Sequence, residues 1–255
     1  AAAVTMLAAR QQAQTVAAEI YASASAEGKR FMDQVNAKSK ALNDVQDETV
    51  RLAKINSAVH AEEMWRVEGM PVLQAMNGTI DALNAELDKA TGSYDHEHAA
   101  RMTMTARFEA ARTLRTLIEV FTAGSPAELD QRRRALLDQI EAMKRSVAAA
   151  STAIKAVQVS PEKLETQAVQ TVGMLLRALD IAKEGGVLKA IELSKGEGRK
   201  ALSEALESSD AYGEFIDKRM RELGVEGSNT AAFAKTVLLA IVLASLLIAI
   251  AAAFW

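Results

Sequence analysis

The strongest constraint in this chain is its last stretch, from Thr236 to Trp255 (TVLLAIVLASLLIAIAAAFW), which contains no charge, Pro, Gly, Asn or Gln. A helix rises ~1.5 Å per residue, so this run reaches ~30 Å, the thickness of a bilayer's hydrocarbon core, and satisfies its own backbone polar groups there. Lys235 would mark the near interface, with Phe254 and Trp255 in the far aromatic belt. The expectation is a membrane helix over 231–255 joined to a helical domain over 1–230.

Composition agrees with helices. Apolar residues make up 49% of the chain, much of that share Ala, while aromatics make up 4% and Pro occurs three times. This is the balance of long packed helices. The formal charge of −3, with both signs interspersed, carries no nucleic-acid footprint. The absence of Cys removes disulfides, thiol catalysis and Cys-based zinc sites. Ala1 at one end and the apolar run at the other read as ends cut from a longer chain.

Residues 1 to about 68 read as one very long helix. Phe31, Val35, Leu42, Val45, Thr49, Leu52, Asn56 and Val59 recur at three- and four-residue steps. Gly69-Met70-Pro71 is the expected first break. A helix from Pro71 to about Ala90 follows, placing Val72, Leu73, Met76, Ile80, Leu83 and Leu87 inward and ending at Thr91-Gly92-Ser93. Asp95 is the next N-cap candidate, opening a helix from His96 to Thr122 with Met104, Phe108, Leu114, Leu117, Ile118 and Phe121 inward. Ser125-Pro126 with Glu128 combines an N-cap, a first-turn Pro and a capping-box acid, and starts a helix to about Val157. Ser160-Pro161 repeats that logic for a helix to Lys183, expected to bury Leu164, Val169, Val172, Leu175, Leu176 and Leu179. Gly185-Gly186 breaks it. Val187 to Leu223 is helical but weakened by Gly196, Gly198 and Gly213, and Gly224 to Thr230 either hinges or continues the helix.

No segment alternates with the two-residue period of a strand. The fold expected is all-α, a long antiparallel helical bundle in one of two schemes. In the preferred one, two four-helix bundles stack along the first helix. In the other, a single four-helix head stands on a two-helix stalk, turning at Gly92, Gly124 and Ser160.

Catalytic constellations are scarce: there is no phosphate loop, nucleophile elbow or His-Glu-x-x-His, and no enzyme is expected. Asp95-His96-Glu97-His98 is the sole metal-like cluster, but its two His are two residues apart and diverge on a helix, so no metal or other cofactor is expected. Arginine is the more informative residue. Arg101, Arg112 and Arg115 fall close to one face, since eleven residues make about three turns, and an inward-facing pair would clamp a carboxylate bidentately. The plainer reading is a solvated face paired with Glu109 and Glu119. Trp65, beside the first break, packs the top of a bundle or lines a pocket.

A helical bundle feeding a membrane helix resembles the extracytoplasmic sensor regions of bacterial chemoreceptors and sensor kinases, in particular the helical bimodular type. The stretch Ala111-Arg112-Thr113-Leu114-Arg115-Thr116-Leu117-Ile118-Glu119-Val120-Phe121-Thr122-Ala123-Gly124 is similar to that family's recurrent run of a small residue, Arg, apolar spacing and a short Gly turn. Tyr212-Gly213-Glu214-Phe215 looks like its late Tyr-x-x-Phe element. Ala8-Ala9-Arg10 offers an early Arg, without a second copy of the Gly turn.

The resemblance implies a homodimeric, non-enzymatic receptor in a bacterial inner membrane, its bundle in the periplasm. Such a receptor would bind a small organic acid or a periplasmic binding protein, and the residues that the spacing above offers for a carboxylate are Arg112, Arg115, Arg101 and Trp65. It would pass a helix shift through the membrane as part of chemotaxis or signal transduction. The alternative is a tail-anchored helical tethering protein.

Overall fold

The computed structural model describes residues 2–89, 93–222 and Lys235. The apolar run Thr236–Trp255, the Gly224–Thr230 junction and the Thr91-Gly92 turn lie outside the described residues. Among those described, every regular element is helical, and no helix is long and apolar enough to cross a membrane. The chain divides into two units, one drawn from 1–54 and 189–255 and the other from 55–188.

The first unit does not contain the single long helix expected at the start of the chain. Helix α1 (Ala2–Ser23) stops, and α2 (Ala26–Ile55) begins after a two-residue turn. Ser25 causes the restart: its hydroxyl accepts from the Gly28 amide at 3.1 Å, an N-cap contact. The turn folds α1 back along α2, where Arg10 reaches Asp47 at 2.6 Å, the Gln46 side chain at 2.9 Å and the Asn43 carbonyl at 3.3 Å. Helix α3 (Ser57–Met64) follows α2 in the second unit, after a further break at Asn56, whose φ of 42° is left-handed. Val59, expected on the buried stripe, is exposed.

Later in the chain come α4 (Met70–Leu87), α5 (Tyr94–Phe121), α6 (Pro126–Ala156), α7 (Glu162–Ala182), α8 (Gly186–Leu193) and α9 (Arg199–Glu222). In the first unit α9 runs antiparallel to α2: Phe31 stacks on Phe215 with ring centroids 4.9 Å apart, and Lys38 pairs with Glu204 at 2.8 Å. Met32, Val35 and Tyr212 are the buried centre of this small cluster. Of the three glycines expected to weaken this region, Gly196 and Gly198 sit in a π-helical turn, Ser194–Gly198, between α8 and α9, and Gly213 lies inside α9.

The second unit is a closed four-helix bundle. α3 with α4, then α5, α6 and α7 pack around one core, each neighbouring the next and α7 returning to α3 and α4. The preferred stacked scheme, which puts α4 and α7 in one bundle and α5 and α6 in the other, does not form: the four share one core. Met76, Ile80, Leu117, Leu136, Met143, Ile154, Leu164 and Leu175 are fully buried, each contributing about 1.5–3 kcal/mol by leaving water.

Gly69-Met70-Pro71 is not a turn. The chain passes through it as a π-helical turn, Trp65–Gly69, that joins α3 to α4. Pro71 occupies the first turn of α4, where a missing amide is tolerated. The expected turn at Gly185 does form, with φ +58°. So does the cap of α6: Ser125 accepts from the Glu128 amide, and the Glu128 carboxylate accepts from Gly124 at 2.7 Å. Helix α5 starts from Ser93 and not from Asp95.

Two helices bury only part of the stripe expected of them: Leu114, Leu117 and Phe121 of α5 and Leu164, Val172, Leu175 and Leu179 of α7 do face the core. α5 turns Ala99, Thr103, Ala106, Ala110, Thr113, Leu117 and Val120 inward and leaves Met104, Phe108 and Ile118 in solvent. α7 leaves Val169 and Leu176 exposed. In α5 the small inward residues let α6 approach closely along the length of the helix, and the Thr hydroxyls are satisfied locally: Thr113 donates to the Glu109 carbonyl at 2.7 Å, Thr103 to that of Ala100 at 2.7 Å. Close backbone approach replaces the bulk that Met104 and Phe108 would have supplied.

Candidate functional site on the outer face of α5

The inward register of α5 determines where its arginines go. With Ala106 and Ala110 against the core, Arg101, Arg112 and Arg115 stand on the opposite side, together with Met104 and Phe108. The spacing that predicted one face is therefore realised, but the face is turned to solvent and not into the bundle.

Each arginine has a distinct setting. Arg101 lies over the Tyr94 ring, 5.8 Å from its centroid, and Arg112 lies over Phe108 at 5.9 Å. Arg112 also pairs with Glu109 at 3.2 Å, and Arg115 pairs with Glu119 at 3.3 Å. These are the two carboxylates that the plainer reading named. Glu109 is the best-held of the acids, with a side chain only 15% exposed and its second oxygen accepting from the Gln139 amide of α6. It fixes Arg112 close to Phe108. Arg115, at 84% exposure, is free to leave Glu119 for an incoming carboxylate at little cost, because an exposed pair of this kind contributes about 0–1 kcal/mol.

The remaining arginines near this face are committed to structure. Arg107 bridges to Asp81 of α4. Arg132 ties the α5–α6 turn, bonding to the Glu119 carbonyl, to the Thr122 hydroxyl at 3.1 Å and to Glu128.

Trp65 does not join the arginines. It is buried, 4% exposed, with its ring against Gly69 and, among the described residues, no partner for its indole N–H. The His pair at the start of α5 diverges as expected: His96 contacts the Ser93 hydroxyl at 3.0 Å, and His98 stacks near Tyr94. Among the described residues no three His, Asp or Glu side chains converge as metal ligands would.

Phe108 and Met104 are the members of this face that sequence reasoning placed in the core. The missed signal is a second stripe, Ala99, Thr103, Ala106, Ala110 and Thr113, whose alternating four- and three-residue steps are as regular as those of the larger side chains. Compared with protein-family models, with curated proteins and with solved structures, the chain matches none.

Proposed function

We propose that this chain is the sensing part of a transmembrane receptor, a non-enzymatic helical module in which Thr236–Trp255 forms the membrane helix and the outer face of α5 receives a carboxylate-bearing ligand. The observation that carries the reading is the alignment of Arg101, Arg112 and Arg115 on one exposed helix face, with Arg112 over the Phe108 ring and Arg101 over that of Tyr94. A row of guanidinium groups, two of them lying over aromatic rings, suits a ligand that presents carboxylates beside a hydrophobic body. A convex face suits the acidic surface of a binding protein better than a small acid needing enclosure, though a free di- or tricarboxylate has the same chemistry.

A ligand shifts such a bundle only as far as it binds one helix arrangement better than another, ~1–3 kcal/mol on the usual allosteric scale. Binding on α5 would be felt by α6, its closest neighbour, and through the core by α7. On the α5 side the contact is made mostly by small residues, Ala99, Thr103, Ala106, Ala110 and Thr113, which favours sliding.

Thermal unfolding of the full chain in detergent, with a panel of di- and tricarboxylates and with an acidic amphipathic peptide, tests the site. At least one of these should raise the melting temperature of the wild type and not of the Arg112→Ala, Arg115→Ala double variant. Equal shifts in both would remove these arginines from the site. Retention in membranes after alkaline extraction, lost when the chain is truncated before Thr236, tests the tether; extraction of the intact chain would sink it.

A further inference from the structure

One side of the four-helix unit is almost bare of charge. Gly69–Ile80, mostly α4, Ser146–Ile154 of α6 and Thr166–Leu176 of α7 contain no Asp, Glu, Lys or Arg. The fold sets the three runs side by side, because α7 packs between α4 and α6. Thr171 meets the Met76 sulfur at 3.8 Å, and Lys155 pairs with Glu165 at 2.9 Å where the α6 run ends and the α7 run begins. Elsewhere the bundle surface carries pairs such as Glu63–Arg66 and Glu141–Lys144. On this side the pairs stand at the borders, Lys155–Glu165 at one end and Glu68–Arg177 at the other.

The centre of this side is the outer surface of α7. Val169 is 73% exposed and Leu176 42%. With Gly173 they follow the four-then-three spacing of a helix–helix seam. Gly173 and the exposed Gly78 of α4 share a further property: a Cβ at either would have no neighbour within 4 Å. Packing inside the unit requires neither glycine, yet each weakens its helix relative to Ala. What the two glycines provide is room for another backbone to come close to the surface.

We propose that this α7-centred side is the interface with a second copy of the chain, across a two-fold axis running along α7. In such a pair each residue near the axis faces its own copy, so a charge there meets a like charge. The neutral side avoids that repulsion. The outer face of α5 does not, since its arginines would be set against one another, and it stays open on the far side of the bundle for a ligand. A strongly acidic or basic partner gains nothing from the neutral side. The direction of the pairing, though not the choice of face, rests on the membrane-tethered reading above, because two copies anchored in one membrane point the same way.

The chain contains no Cys, so single introduced cysteines report directly. In the full chain in detergent, Val169→Cys and Leu176→Cys should each form a disulfide-linked dimer under mild oxidation, which requires Cα atoms within about 7 Å. Arg101→Cys should not. Replacing Gly78 and Gly173 together by Leu should weaken self-association about ten-fold or more in sedimentation with the helical circular dichroism retained. Replacing both by Ala should raise the melting temperature of the dilute monomer. If the two cysteine variants cross-link only with each other when mixed, the interface stands and the parallel direction falls, and with it the tethered reading. If they cross-link neither alone nor mixed, or if the Leu variant sediments as the wild type does, the interface is overturned.

Discussion

The backbone amide of Gly186 donates to the hydroxyl of Ser57, 3.3 Å away and buried, so the residue that opens the four-helix unit holds the residue that leaves it. Each partner is preceded by a left-handed residue, Asn56 at φ 42° and Gly185 at φ +58°. The chain thus enters and leaves the unit through one clasp.

Breaking the clasp should cost stability from either side. Ser57→Ala leaves a buried amide without an acceptor, a loss of about 1–3 kcal/mol. Gly185→Ala forces a Cβ into the left-handed region at about 1–2 kcal/mol and brings it 3.1 Å from a Leu129 methyl. Either variant should lower the calorimetric melting temperature by several degrees, whereas Asn56→Gly should leave it unchanged or raised. An unaltered Ser57→Ala transition would mean the clasp contributes nothing.

Trp65 and Gly69 form a second tight pair. A Cβ at Gly69 would lie 2.3 Å from a ring carbon, and the π-helical turn between the two residues sets the ring there. Gly69→Ala should therefore destabilise by about 1–3 kcal/mol, as overpacking does, and push Trp65 toward water. In a Trp255→Phe background the emission of Trp65 should move to longer wavelength. The open surroundings of Gly78 predict the opposite sign there, with Gly78→Ala stabilising by up to about 1 kcal/mol.

Tyr212 gives the first unit a dependence on alkaline pH. Burial against Phe215 raises its phenol above the ordinary value of 10.0. The folded state therefore holds the proton more tightly than the unfolded chain does, so the stability is full below pH 10 and is lost as pH rises toward the raised folded value. Unfolding followed between pH 9 and about 11 should show this loss, and Tyr212→Phe should abolish the part due to this residue. Identical alkaline profiles for the two proteins would mean that Tyr212 is open to solvent.

Local signals were legible where one short stretch carried the whole cause. Ser125 with Glu128 specified the start of α6, and Gly185 the turn before α8, because a cap or a positive φ involves only residues near one another in sequence. Ser25 carried a signal of the same kind for α2, but the Ala-rich residues before it and the stripe that starts at Phe31 both read as helix, with no Pro between them to mark a break. The arginines of the candidate site were legible as a set, since helical spacing alone puts Arg101, Arg112 and Arg115 on one face. Their direction was not, because a helix with two regular stripes is compatible with either facing the core.

The sequence by itself determined that the described chain is helical, where most of its helices stop, and that Thr236–Trp255 has the composition of a membrane helix. Only the tertiary structure decided that Ala106 and Thr113 face inward while Phe108 and Arg112 face water, that Gly69 is packed against Trp65 and is not a turn, and that four helices close one bundle. The physical reason is the range of the interactions. Caps and propensities act within a few residues, whereas the choice between two stripes depends on how closely the neighbouring helix can approach, and that neighbour lies elsewhere in the sequence.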